Sequence, residues 1–266
     1  MHNYTTLAVT RKDRLLTITL NRPDAMNAVN LEMHDELADA VSFAAADEQS
    51  DVIVLTGAGR TFCGGSDLED IARNAAEPER FDHEARVEKR IVSALLDLDK
   101  PLVCRMNGNA IGLGATLALL CDVIFAAEGA KIGDPHVCLG LVAGDGGAAI
   151  WAQRMGMGRA KEYLLTGEPL TSQQAEQMGL VNHCVPFAHL DATVSSFCDR
   201  LLRGSTKAIR GTKVLLNLEL KRVVHAVMDA SIPYESTTVR SADCREAIKA
   251  LQEKRRPLFC HDNTKL

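Results

Sequence analysis

Leu102-Val103-Cys104-Arg105-Met106-Asn107-Gly108-Asn109-Ala110-Ile111-Gly112-Leu113-Gly114-Ala115-Thr116-Leu117-Ala118-Leu119-Leu120-Cys121-Asp122-Val123-Ile124-Phe125-Ala126 is the stretch that decides the fold of this chain. Leu102 to Met106 is a short apolar run and reads as a strand. Asn107-Gly108 is a turn signal. Gly114 to Cys121 reads as a small-residue helix, and Val123 to Ala126 as the next strand. Strands this uniformly apolar, separated by a helix, pair in parallel within an α/β sheet.

The same alternation extends toward the N-terminus. Leu15 to Leu20 reads as a strand, broken by Arg22-Pro23-Asp24. Asn30 is placed to cap a helix that carries Met33, Leu37, Val41 and Ala44 on one face. Val52-Ile53-Val54-Leu55 reads as a buried strand. A glycine-rich loop, Gly57 to Gly65, follows it, and residues Asp67 to Asn74 turn helical. Ala75 to Arg90 is polar and mixed in charge, and reads as a mobile loop leading into a helix from Val87 to Leu98. Toward the C-terminus the chain becomes mostly helical from Arg159. Thr171-Ser172-Gln173-Gln174 is a capping box, with Gly179 as the stop. Residues 205 to 257 keep helical periodicity. The division expected is a core of residues 1–204 and a helical segment of residues 205–266.

The 266 residues, 46% hydrophobic, suffice for one large core with an appendage. The net charge of −5 and 4% aromatic content lack the basic stripe and stacking surface of a nucleic-acid binder. Cys63, Cys104, Cys121, Cys138, Cys184, Cys198, Cys244 and Cys260 form no C-x-x-C pair and no zinc-site spacing. Met1 to Tyr4 lacks a signal-peptide pattern, and the uncharged run Met106 to Cys121 is too short to span a bilayer. The expectation is a cytoplasmic protein with free thiols, away from membranes and nucleic acid.

Three segments have the makings of chemistry. Thr61 to Leu68 joins a strand to a helix through Gly64 and Gly65. Asn107 to Gly114 does so again. Two such turns aim two backbone N–H groups at one oxygen when they converge, which makes an oxyanion hole. Either turn alone reads equally as a product of packing. Neither fits a P-loop or the dinucleotide G-x-G-x-x-G. The third segment, Ile132 to Gly147, places His136 between Asp134 and Asp145 among glycines. His is the side chain best poised for proton transfer near neutral pH, and a carboxylate can orient it.

Taken together the three segments resemble the crotonase (enoyl-CoA hydratase/isomerase) superfamily over nearly the whole chain. Asn21-Arg22-Pro23 with Asn27-Ala28 resembles its opening signature, and Phe62 to Leu68 its first oxyanion loop. Asn107-Gly108 through Gly114 to Cys121-Asp122 resembles the second, and Arg245 to Pro257 the C-terminal helix. The resemblance implies a spiral of ββα units with a C-terminal helical trimerisation segment, and a homotrimer or hexamer. It also implies a CoA thioester as substrate, with no metal or redox cofactor. Carried over, Ser66 and Leu113 supply the two N–H groups, with Leu113 standing where glycine is usual. CoA is expected along Asp24, Ala25, Met26, Gly64, Gly65, Asp67 and Leu68. Lys254 either meets its phosphates or is a solvated helix face.

The departure lies at the acid/base positions. The places of a hydratase's two glutamates hold Thr116, expected in the substrate pocket, and His136. A His136/Asp145 pair, with Glu235 as a rough match further on, resembles the 6-oxocamphor-hydrolase-like branch, which cleaves β-diketones. Asp145 reads equally as a helix N-cap or first-turn acid. Three functions stay open. The first is an acyl-CoA enzyme of hydratase/isomerase type with His136 as acid/base. The second is a C–C bond hydrolase acting on a diketone. The third is a non-catalytic acyl-CoA-binding relative.

Overall fold

All six residues of β3 (Val52–Gly57) are buried in the computed structural model, which describes residues 4–259. Around it lie β1 (Leu7–Lys12), β2 (Leu15–Leu20), β4 (Leu102–Met106), β6 (Val123–Ala127) and β9 (His183–Val185). They form one six-stranded sheet in the order β1-β2-β3-β4-β6-β9. Only β1 and β2 pair antiparallel; every other neighbour is parallel. A smaller sheet joins β5 (Ala110–Ile111), β7 (Lys131–Gly133) and β8 (Leu170–Thr171) in that order.

The helices begin where their caps dictate. Asn30 accepts a hydrogen bond from Met33 N and starts α1 (Leu31–Ala46), which buries Met33, Leu37, Val41 and Ala44 against the sheet. Asp67 accepts from Glu69 N and starts α2 (Leu68–Ala76). Thr171 and Gln174 close the expected capping box at α7 (Ser172–Gln177). The remaining helices are α4 (Leu113–Leu119), α5 (Gly147–Met155), α6 (Met157–Thr166), α8 (Phe187–Leu202), α9 (Thr206–Val239) and α10 (Ala242–Gln252). This is the expected α/β architecture with a helical C-terminal region.

Residues 75–90 overturn one expectation. They are not a loop: α3 (Pro78–Asp97) runs through them for 20 residues. Pro78 stands in the first turn, where its missing N–H costs nothing. Phe81, Ala85, Ile91, Val92 and Leu95 form the buried stripe. Glu84 and Glu88 occupy two further buried positions of that stripe, so its apolar period is interrupted in the sequence. At the C-terminus, α10 ends before the expected Pro257, and Lys254 turns left-handed at φ 54°.

Helix α9 packs on α3 and α5, and its Val224 and Met228 belong to the main core cluster. The segment from residue 205 therefore contributes to the fold of its own chain. The seven described cysteines are all free, and Cys260 lies outside the described residues. Among the described residues, no helix is long and apolar enough to cross a membrane.

Candidate active site

The two glycine-rich turns converge. Phe62 N and Cys63 N donate to Asn109 O at 3.1 and 3.0 Å, and Ile111 N donates back to Cys63 O at 3.0 Å. On its other side the first turn is tied to Val29, whose N–H donates to Gly65 O and whose carbonyl accepts from Asp67 N. The opening signature serves this loop too: Arg22 reaches Asp67 Oδ2 at 3.0 Å. Gly65 has φ 97°, and a Cβ there would lie 2.9 Å from the Ile111 carbonyl oxygen. Only glycine permits that approach.

Ser66 and Leu113 line one cavity of about 550 Å³. Neither N–H meets a backbone acceptor among the described residues. Leu113 is the first residue of α4, where helix N–H groups have no intrahelical partner. The two residues expected to supply the donors thus line a common space. Ala25, Met26, Gly64, Gly65, Asp67 and Leu68 line the same cavity.

Three expected binding residues do not line it. Asp24 lies outside. Lys254 also lies outside in its own chain; its neighbour Arg255 lines the cavity instead, held by Glu246 and Glu253. The left-handed turn at Lys254 changes the phase that a continuous helix would have kept. Thr116 is fully buried within α4, and its hydroxyl donates to the Asp145 carboxylate at 3.2 Å.

His136 opens a single 3₁₀ turn (His136–Leu139), and its ring lines the cavity beside Gly112. Its orienting carboxylate is Asp134, not the expected Asp145. Asp134 Oδ1 bonds the ring Nδ1 and also accepts from His136 N at 3.2 Å. Asp145 is engaged by Thr116 and by Gly147 N at 2.9 Å, as a first-turn acid at α5; Gly146 takes the N-cap. A two-residue spacing on a tight turn lets one carboxylate meet both N–H groups, which a nine-residue spacing does not.

Electrostatics favour the charged form of His136. Burial opposes its charge, but Asp134, then Asp145 and Glu235, outweigh burial and raise the ring well above the usual imidazole value. Asp134 stays below the usual carboxylate range despite burial, because His136 faces it. Burial pushes Asp145 up to about 6. Glu235, on α9, lines the cavity with Oε2 unpartnered, and its carboxyl is raised well above normal by burial and then by Glu88.

Sequence reasoning missed a second group. Asn74, Glu84 and Glu88 line the cavity from α2 and α3, and His34 Nε2 lies 3.4 Å behind Glu88. The four-residue spacing of Glu84 and Glu88 on one helical face was the available signal. Two groups, Asp134/His136/Asp145 and His34/Glu84/Glu88, bring their donor atoms within 4.8 Å of one another, the spacing a cation would need. In the first, Asp134 bonds His136 while Asp145 bonds Thr116 and Gly147; in the second, His34 Nε2 faces Glu88 at 3.4 Å.

Residues 10–262 match the family model for enoyl-CoA hydratase/isomerase, and the chain belongs to that family. It is 33% identical to the 2,3-dehydroadipyl-CoA hydratase of Escherichia coli, over 95% of this chain and 98% of that one. It is 34% identical to the 1,2-epoxyphenylacetyl-CoA isomerase of the same organism, over 92% and 94%. A crystal structure of an enoyl-CoA hydratase/isomerase from Mycobacterium paratuberculosis superposes with a TM-score of 0.88 at 35% identity, covering 92% of this chain and 98% of that one. The resemblance to the crotonase superfamily thus holds for sequence and fold.

Proposed function

We propose that the chain moves protons on an acyl-CoA thioester through an enolate. The observation that carries this reading is one cavity lined by two unspent backbone N–H groups, Ser66 and Leu113, and by the His136 ring. The thioester oxygen sits between the two donors, which gain strength as it takes up charge. His136, whose charged form the neighbouring carboxylates favour, delivers a proton to the α-carbon of the enolate or recovers one from it. Glu235 is the second titratable group on the cavity. In a double-bond shift the proton removed comes from the substrate's γ-carbon, in hydration from the water that adds to the β-carbon, and the Glu235 carboxylate accepts it. CoA enters as part of the substrate, lying along Ala25, Met26 and the Gly64–Leu68 loop. Neither a metal nor a redox group has a step in this chemistry.

A raised His136 argues against water activation by a neutral imidazole, the step that cleavage of a diketone would require. Incubation in D₂O with crotonyl-CoA tests the reading. The expected result is deuterium at the α-carbon of recovered ester or product, dependent on His136. No exchange and no turnover, together with opening of a bicyclic diketone in the absence of CoA, would replace it with the hydrolase. CoA binding with neither reaction would leave a binding protein.

The chain is further proposed to assemble as a trimer or a dimer of trimers through residues 205–266. Leu215, Leu216 and Leu218 on α9 are 69%, 74% and 58% exposed, a patch that one chain leaves in water. Light scattering should give at least three times the chain mass; a stable monomer at micromolar concentration refutes the assembly.

A further inference from the structure

Beyond His136 the cavity continues between α2, α3, α9 and α10. One side is apolar: Ile71, Phe81, Leu141 and Val239 line it and belong to a separate hydrophobic cluster. The other side is not. Asn74, Glu84, Glu88 and Glu235 line it, all of them 3–6% exposed. Asn74 Nδ2 donates to Glu84 Oε2 at 2.6 Å, which leaves Asn74 Oδ1 as a buried acceptor with no partner among the described residues. Glu235 Oε2 is a second. Two buried acceptors on one wall, from two different helices, are costly to leave unpaired.

We infer, building on the acyl-CoA reading above, that this wall recognises a hydroxyl group carried by the acyl chain and rejects an acyl chain that ends in a carboxylate. A hydroxyl both donates and accepts. It can donate to Asn74 Oδ1 and accept from a carboxyl group that carries its proton. Burial, then Glu88, raises Glu84 and so favours its donor form, while Glu235 Oε2 stays an open acceptor. Among the described residues, no cation without a carboxylate partner lines this wall. His34 is already engaged by Glu88. Arg255, on the same cavity, is engaged by Glu246 and Glu253. An anionic end would be buried against acids without a partner.

Calorimetry with saturated, unreactive acyl-CoA esters of graded chain length tests this. Each length is prepared with a plain end, a hydroxyl end and a carboxylate end, and free CoA is the reference. At the length that reaches Asn74, the hydroxyl ester should bind on the order of tenfold tighter than the plain one. The carboxylate ester should bind on the order of a hundredfold weaker than the hydroxyl ester. In Asn74→Leu the ratio between hydroxyl and plain esters should fall toward one. The ester series on the unaltered protein decides the matter even if that variant folds poorly. Plain esters binding as tightly as hydroxyl esters at every length, or carboxylate esters binding equally well, would overturn the inference while leaving the acyl-CoA reading in place. If neither free CoA nor any ester binds, the acyl-CoA reading itself fails.

Discussion

His136→Ala lowers kcat by about 10²–10⁴-fold and leaves CoA binding nearly unchanged, the range of a lost general acid. The pH profile gives the effect its signature. His136 acts in its charged form, and Asp134 raises that form's pKa above the ordinary value of about 6.5. The native rate should therefore hold through neutral pH and fall as pH rises past the raised pKa. In Asp134→Asn the stabilising charge is gone, and the falling limb should move down toward the ordinary imidazole value. In His136→Ala the limb should vanish. Asp145→Asn should shift it less, because Asp145 bonds Thr116 and Gly147 rather than the ring. A His136→Ala enzyme at the native rate would make the pair structural. An Asp134→Asn profile with an unmoved limb would return the orienting role to Asp145.

Deleting one donor of the oxyanion hole should cost about 10²–10³-fold in kcat. Leu113→Pro is the cleanest way to do it. Proline is favoured at the first residue of a helix, where its missing N–H breaks no helical bond. Gly112 before it has no Cβ to clash with the proline ring. Leu113→Ala keeps the N–H and reports the loss of side-chain packing alone. Ser66→Pro should likewise abolish most activity, whereas Ser66→Ala should retain most of it, because the donor is the backbone. Circular dichroism and thermal unfolding establish that each variant is folded. An inactive, folded Ser66→Ala would make the hydroxyl the reactive group, and a fully active Leu113→Pro would remove the hole from the mechanism.

The parallel strands were legible because burial on both faces leaves an uninterrupted apolar run, as in β3, where every residue is buried. Asn30 and Thr171 were legible because capping is local chemistry. Helix α3 was not, since Glu84 and Glu88 sit in its buried stripe. Pattern reading takes a carboxylate for surface wherever it falls. The site shows the same division. Glycine turns and a lone histidine stand out in sequence, and the family resemblance then singled out Ser66, Leu113 and His136, which line one cavity. Which of two flanking acids meets the ring depends on the 3₁₀ turn at His136, and which of Lys254 and Arg255 faces the cavity depends on one left-handed residue. Backbone geometry of that kind leaves no periodic trace.

Asp134 and His136 are separated in the chain only by Pro135, whose ring restricts the backbone between them. Bringing two groups together across one residue closes almost no loop, so their pairing draws little on chain entropy. Groups joined across 99 residues, such as His136 and Glu235, depend on the whole tertiary structure for their alignment. The Asp134–His136 pair is therefore a self-contained cartridge. Displacement of α2 or α3 would reshape the cavity around it without moving the short segment that carries the ring and its partner. Acyl preference can drift among homologous chains through those helices while the acid stays in register.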